Sequence, residues 1–297
     1  MRVAAKTRVC ALIGYPIEHS LSPTIHNAAF QHLGLDYIYV AFNVQPNRLQ
    51  DAISGVRGFG VHGLNVTMPH KISIIQYLDE IDRAVRNIGS VNTVLNSGGI
   101  LIGYTTDGVG ALEALRHAGA DPKGRKIVVL GAGGASRSIS FTLAEYAREL
   151  IILNRTVEKA LSLANDISGV FGSEVNVRAD RLSEESLEAE IKDADILINA
   201  TSIGMRPNEN ETPVRRRLLH GKLTVFDIVY DPIETRLLRE AKAAGAKTVD
   251  GLSMLIYQGA ASFEIWTGAK APVEIMRRAA VREIKGKKYR QPHAGGM

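Results

Sequence analysis

The stretch Lys126-Ile127-Val128-Val129-Leu130-Gly131-Ala132-Gly133-Gly134-Ala135-Ser136 constrains the chain more than any other. Its apolar run lacks polar alternation, so it reads as a strand covered on both faces, the mark of a parallel sheet. A glycine-rich turn joining such a strand to a helix, predicted over 135–147, lets a pyrophosphate approach the backbone. The first glycine turns tightly, the second admits the phosphate, and the helix N-terminus supplies N–H groups and the positive end of its dipole. Gly131 and Gly133 take those two places, with Ala132, Gly134 and Ala135 completing the turn. Ser136 stands where a third small residue would let helix and strand pack, and it fits sterically.

The end of the next strand, predicted over 150–153, bears on the cofactor. An NAD site would carry Asp or Glu there, about 20 residues past the fingerprint, to hold the ribose 2′-hydroxyl. This chain has Asn154-Arg155-Thr156, with Lys159 one turn on. A carboxylate would repel a 2′-phosphate, whereas a guanidinium pairs with it and stacks beside adenine, so the pattern predicts NADP(H). Arg155 and Lys159 also read as solvated charges at a helix start.

Strands predicted over 194–199, 224–228 and 247–249, and helices over 157–167 and 234–244, extend this into a βαβ series beginning after the break Ala118-Gly119-Ala120-Asp121-Pro122-Lys123-Gly124. An earlier α/β series precedes it, with strands over 9–13, 37–43 and 63–66 and helices over 23–32 and 48–56. Its strand-end loops carry Ser20, Ser22, Asn65 and Thr67, where open α/β sheets place ligands. The run Asn65-Val66-Thr67-Met68-Pro69-His70-Lys71 sets polar side chains at a strand-to-helix turn suited to an anionic, hydroxylated small molecule, with Lys71 as its chemical centre. Lys71 equally fits a cation in the first turn of a helix, and Ser20-Leu21-Ser22-Pro23 a helix cap with proline at N1, in which Ser22 has more structural excuse than Ser20. After Gly251 the apolar spacing predicts two helices that return to the first domain.

Composition narrows the class. The 297 residues are 45% hydrophobic and 23% charged, which fits two folded domains. The net charge of +5 raises nucleic acid, but much of the excess lies in Arg277-Arg278, Arg282, Lys285, Lys287-Lys288 and Arg290, predicted to fray into solvent, and no recognition motif accompanies it. A lone Cys10 argues against disulfides and for a reducing, cytoplasmic setting. His19, His26, His62 and His70 form no ligand set, so no metal is expected. No apolar run approaches the roughly 20 residues that cross a bilayer, so no membrane role is expected.

The chain resembles the shikimate dehydrogenase family from about Val9 to Gly268. The matching stretches include Ile13-Gly14-Tyr15-Pro16, Ser20-Leu21-Ser22-Pro23, Asn65 to Lys71, Asn92-Thr93 and Thr106-Asp107-Gly108. They continue through Gly131 to Ala135, Asn154-Arg155-Thr156, Asn199 to Met205, Asp227-Ile228-Val229-Tyr230 and Gly251 to Leu255, leading to Gln258. The resemblance implies two α/β domains: a discontinuous substrate-binding domain, 1–107 with 252–297, and a Rossmann-type NADP-binding domain, 108–251. It implies reversible NADP-dependent oxidation of shikimate at its C3 hydroxyl to 3-dehydroshikimate, run as a reduction in aromatic amino-acid biosynthesis, by a monomer or homodimer.

By the same resemblance, Lys71 and Asp107 are the catalytic pair, and Ser20 and Ser22 bind the substrate carboxylate. Asn65, Thr67, Asn92 and Gln258 reach or flank the ring hydroxyls, and Tyr230 reaches toward the substrate. Thr201, Ile228 and Gly251 lie by the cofactor. Asp107 also reads as a helix N-cap or turn residue. Thr105 stands where the family carries Asn, which puts the hydrogen bonding of that loop in question. A quinate/shikimate dehydrogenase and a noncatalytic NADP-sensing protein on the same fold are the competing readings.

Overall fold

In the computed structural model, which describes residues 3–290, the chain divides into two compact units. One comprises the residues up to Asp82, Val91–Tyr104 and the residues from Gly259 on; the other comprises Arg83–Ser90 and Thr105–Gln258. Segments 83–90, 105–107 and 252–258, predicted with the first unit, belong to the second, the first of them for a packing reason. Ile88 is buried in the second unit's core, and its carbonyl accepts from Arg137 Nε.

The first unit holds β1 (Arg8–Gly14), α1 (Ser22–His32), β2 (Tyr37–Asn43), α2 (Leu49–Gly58), β3 (Gly63–Val66) and β4 (Glu80–Ile81). After α3 (Arg83–Ile88), which lies in the second unit, β5 (Thr93–Ser97) and β6 (Ile100–Tyr104) complete its sheet, in the order β2-β1-β3-β5-β6-β4. Strands β1, β2 and β3 are parallel, as the alternation predicts. The antiparallel pair β5 and β6 was not predicted. Its two-residue link, Gly98-Gly99, has φ of +63° and +99°, the positive angles that a tight hairpin turn requires and that glycine adopts without strain.

The second unit contains α4 (Asp107–His117), β7 (Lys126–Leu130), α5 (Gly134–Ala144), β8 (Glu149–Asn154), α6 (Val157–Phe171), β9 (Val177–Arg181) and α7 (Glu184–Ile191). It continues with β10 (Ile196–Asn199), β11 (Thr224–Asp227), α8 (Arg236–Ala243) and β12 (Lys247–Val249). Its sheet is parallel throughout, ordered β12-β11-β10-β7-β8-β9. The order reverses between β7 and β10, so the ends of those strands flank the crevice where doubly wound sheets bind ligands. Alternate residues of β7 supply two separate cores: Ile127 and Val129 enter one, Val128 and Leu130 the other. Burying each such side chain contributes about 1.5–3 kcal/mol, which is why this strand tolerates no polar alternation.

Helix α9 (Gly251–Thr267) begins in the second unit and ends in the first, and α10 (Val273–Arg290) follows. The basic stretch predicted to fray is helical through Arg290. Met276 and Ala280, one turn apart, are fully buried while Arg278, Arg282 and Lys285 remain exposed, and this apolar stripe packs α10 against α1. Among the described residues, no helix is long and apolar enough to cross a membrane.

Candidate active site

In the first unit the loop after β3 is fixed by its own backbone. Thr67 N donates to Ile13 O at 2.9 Å, His70 N to Thr67 O at 3.0 Å, and Val91 N to Lys71 O at 2.8 Å. The buried His70 ring anchors the loop through Nε2 and Val44 O, 2.7 Å apart, so this histidine is structural. Lys71 is half-buried and lies in a turn ahead of a 3-10 helix over Ser73–Tyr77. It is not in an α-helix, which removes the helix-start alternative for this lysine.

Behind that loop lies a closed polar network. Tyr39 Oη donates to Asn65 Oδ1 at 2.7 Å. Asn65 Nδ2 faces Asn92 O at 3.0 Å, Ser262 Oγ at 3.1 Å and Thr93 Oγ1 at 3.2 Å, so its two hydrogens are shared among three acceptors. His26 stacks on the Tyr39 ring, 4.5 Å between centroids. It is fully buried with no hydrogen-bond partner for either ring nitrogen among the described residues, and burial pushes its pKa down to about 3, so it is neutral. Tyr39, Asn65, Asn92, Thr93 and Ser262 are thus joined in one cluster, with Lys71 tied to its edge through Val91 and Thr67 half-buried in the same loop.

The turn contact expected of Ser22 is made by Ser20. Leu21 is the N-cap of α1, without a side-chain cap, and Ser22 is already helical. Ser20 Oγ accepts from Ser22 N at 3.3 Å, so Ser20 makes the local turn contact while Ser22 is buried in the first turn of α1.

In the second unit, Asp107 is the first residue of α4, following Thr106 as N-cap, and is 5% exposed. The N-cap alternative therefore fails, and the carboxylate sits where the helix dipole favours a negative charge. Gly110, one turn along, leaves room for α9: a Cβ there would lie 2.7 Å from Gln258 N. Gln258 therefore packs along the helix face that carries Asp107. The Thr105 hydroxyl lies 3.3 Å from Ser138 Oγ, which answers the question raised by the missing asparagine.

The glycine turn has the shape its sequence predicts. Gly131 has φ of +107°, and a Cβ on it would come within 3.0 Å of Ala200 O. Ser136 Oγ donates to Gly131 O at 2.6 Å, closing the turn from inside the helix, a function beyond steric fit. Gly133, the N-cap of α5, is exposed with nothing within 4 Å of a built Cβ, so the N-terminus of α5 is open to a phosphate. Gly134 and Ala135 form the half-buried first turn of that helix beside the half-buried Ala132. At the end of β8, Asn154 Nδ2 donates to Thr156 O at 2.8 Å. Arg155, Thr156 and Lys159 are exposed, and neither cation has an ion-pair partner among the described residues.

Across the crevice edge, Thr201 donates to Asn199 Oδ1 from both N (3.1 Å) and Oγ1 (2.6 Å). Asn199 Nδ2 in turn donates to Asp227 Oδ1 at 3.0 Å. Ile228 is half-buried, and its carbonyl lies 2.3 Å from where a Cβ on Gly251 would be, so only glycine fits at the start of α9. Burial raises the Tyr230 phenol above its ordinary value, with Asp231 adding to the shift. Among the described residues no group of three or more His, Cys, Asp or Glu side chains is arranged to hold a metal.

Residues 12–94 match the family described as the shikimate dehydrogenase substrate binding domain, and residues 113–253 that described as shikimate / quinate 5-dehydrogenase. Residues 251–281 match the shikimate 5′-dehydrogenase C-terminal domain. Over 286 residues the chain is 51% identical to the shikimate dehydrogenase (NADP(+)) of Methanopyrus kandleri, covering 95% of this chain and 98% of that protein. The chain belongs to the shikimate dehydrogenase family. A crystal structure of a shikimate dehydrogenase in complex with NADP+ is similar at a TM-score of 0.89 and 48% identity, covering 95% of this chain and 98% of that one. The shikimate 5-dehydrogenase of Listeria monocytogenes, solved with shikimate and NAD, is similar at a TM-score of 0.88 and 40% identity, covering 94% and 98%.

Sequence reasoning missed Tyr39, Ser262, Asn199, Asp227 and Thr235 as site-forming residues. The available signal was polarity out of place: Asn199 follows three apolar residues in β10 and Asp227 follows Val225 and Phe226 in β11, and both strands are buried.

Proposed function

We propose that this chain catalyses the reversible NADPH-dependent reduction of 3-dehydroshikimate to shikimate, a step toward chorismate and the aromatic amino acids. The near-full-length likeness to NADP(+)-dependent shikimate dehydrogenases carries the reading. The first unit would bind substrate and the second NADP. The open N-terminus of α5 and the unpaired cations after β8 fit a dinucleotide with a 2′-phosphate.

Bound NADPH would supply the hydride. The chain's own residues must then manage the charge and proton at the reacting oxygen. Lys71 donates a proton to the carbonyl oxygen in reduction and receives it from the alcohol in oxidation. Asp107, held at the start of α4, orients that ammonium. Ser20 and Ser22 donate to the substrate carboxylate, and Asn65, Thr67, Asn92 and Gln258 read or flank the ring hydroxyls, with Tyr230 completing the set. Gly131, Ala132, Gly133, Gly134 and Ala135 hold the pyrophosphate, Asn154, Arg155, Thr156 and Lys159 the 2′-phosphate and adenine, and Thr201, Ile228 and Gly251 the nicotinamide end.

Initial rates followed by nicotinamide absorbance, with shikimate and quinate each tested against NADP+ and NAD+, decide the reading. Highest kcat/KM for shikimate with NADP+ supports it, and comparable values for quinate or NAD+ favour a relaxed quinate/shikimate dehydrogenase. Absence of turnover with tight NADPH binding favours the sensing role. The single, fully buried Cys10, with burial pushing its thiol to about 12, suits a cytoplasmic enzyme, and gel filtration separates monomer from homodimer.

A further inference from the structure

We infer that Asp227 is a positioning residue for the nicotinamide end of the cofactor, acting through the loops after β10 and β11 without touching the ligand. The inference rests on the reading above, in which Thr201, Ile228 and Tyr230 face the cofactor and substrate.

Asp227 ends β11 with no exposed surface. Three donors converge on its carboxyl: Asn199 Nδ2 at 3.0 Å and Val229 N at 3.1 Å to Oδ1, and Thr235 Oγ1 at 2.6 Å to Oδ2. None of these partners is charged. A buried carboxylate without a cation is costly, and burial outweighs the three bonds, pushing this carboxyl up to about 6. An apolar residue at the strand end would avoid that cost, so the position of the acid needs a reason beyond stability.

The connections supply one. An asparagine amide has two orientations of nearly equal shape, and the acceptor on Asp227 together with Ile203 O selects one for Asn199, with Nδ2 inward. Asn199 Oδ1 is thereby aimed at Thr201, gathering both its N–H and its hydroxyl, and Thr201 Oγ1 accepts from Ile203 N at 3.1 Å. This fixes Ala200 and Thr201 against Gly131, where a built Cβ would meet Ala200 O at 3.0 Å and Thr201 Cγ2 at 3.2 Å. On its other side, the bond from Val229 N bends the chain between Ile228 and Tyr230, while Thr235 also caps α8 through Leu238 N. One carboxyl thus sets both loops at the nicotinamide side of the crevice and none of the groups at the β8 end, where Arg155 lies.

That asymmetry gives the test. NADPH, which occupies the whole cleft, and adenosine 2′,5′-bisphosphate, which carries only the adenine and 2′-phosphate end, are titrated against wild type and Asp227→Asn. The expected result is about 30-fold weaker NADPH binding, the scale set by a hydrogen bond to a charged group, with unchanged affinity for the bisphosphate and a lower kcat. Thr235→Val, which removes one donor, should show the same pattern to a smaller degree, and Thr235→Ser, which keeps the hydroxyl, should restore NADPH affinity. Should Asp227→Asn not fold, the two Thr235 variants carry the test alone. Equal weakening of both ligands, or of neither, overturns the inference. A wild type that binds NADPH yet turns over neither shikimate nor quinate refutes the proposed activity and leaves the binding test intact.

Discussion

The two buried polar networks of this molecule are built on opposite plans. In the first unit, Tyr39, Asn65, Thr93 and Ser262 are neutral, and each Asn65 hydrogen and the Asn65 carbonyl has a partner within the network. In the second, Asn199, Val229 and Thr235 converge on a carboxyl that burial holds near 6. A neutral network fixes geometry by matching donors to acceptors and is indifferent to pH. A network built on a buried acid fixes geometry too, but spends stability to do so and changes character as the acid titrates.

The largest expected effect concerns the charge at the edge of the neutral network. If that network only holds residues in place while Lys71 moves the proton, Lys71→Ala should lower kcat by about 10³-fold, within the range for general acid–base groups, and leave NADPH affinity unchanged. Near-normal turnover would break the division between a positioning network and a reacting cation.

The next effect reads the second network through stability. An acid raised in the folded state from 3.8 to about 6 binds its proton more tightly when folded. Its stabilisation is therefore complete below pH 3.8 and is lost as pH rises through 6, by about 3 kcal/mol in all. Asp227→Asn has no such proton, so between pH 4 and 7 its unfolding free energy should climb relative to wild type by up to about that amount, whatever constant offset the amide introduces. Urea titrations giving parallel pH curves for the two proteins would show that the carboxyl is not raised. Smaller again, Arg155→Ala should reduce kcat/KM for NADP+ by about 10- to 100-fold and leave the value for NAD+ unchanged, since only the charge-assisted contact to the 2′-phosphate is removed. Equal losses with both cofactors would assign Arg155 to solvent.

How much of this was legible in the sequence follows from how local each signal is. The glycine turn, the parallel strands β7, β8, β10, β11 and β12, and the α/β alternation of β1 to β3 are written in runs of a few residues, and they stand in the structure within a residue or two. The β5–β6 hairpin was equally local, with Gly98-Gly99 as its turn, but apolar periodicity over the short strands Thr93–Ser97 and Ile100–Tyr104 is too weak to signal it. The basic end of the chain was misjudged because charge density hid the Met276 and Ala280 stripe that holds α10 in place. The two networks were not legible: Tyr39 meets Asn65 across 26 residues and Asn65 meets Ser262 across 197, and no spacing rule reaches that far.

Tyr39→Phe is the smallest change and the sharpest probe of the neutral network. It keeps the ring stacked on His26 and removes one oxygen, leaving Asn65 Oδ1 without its donor inside the core. Flipping the amide recovers this only in part: Oδ1 could then accept from the Ser262 and Thr93 hydroxyls, but it would also face Asn92 O, which has no proton to give, and Nδ2 would face the Phe ring. An orphaned buried acceptor costs about 1–3 kcal/mol, so the variant should unfold at lower urea concentration by roughly that free energy. It should also bind shikimate about tenfold more weakly, one such step in free energy, with NADPH affinity unchanged, because Asn65 loses its tether in the first unit alone. Unaltered stability together with unaltered shikimate KM would mean that Asn65 is held by Asn92, Thr93 and Ser262 without help. The neutral network would then be a looser structure than its donor and acceptor matching implies.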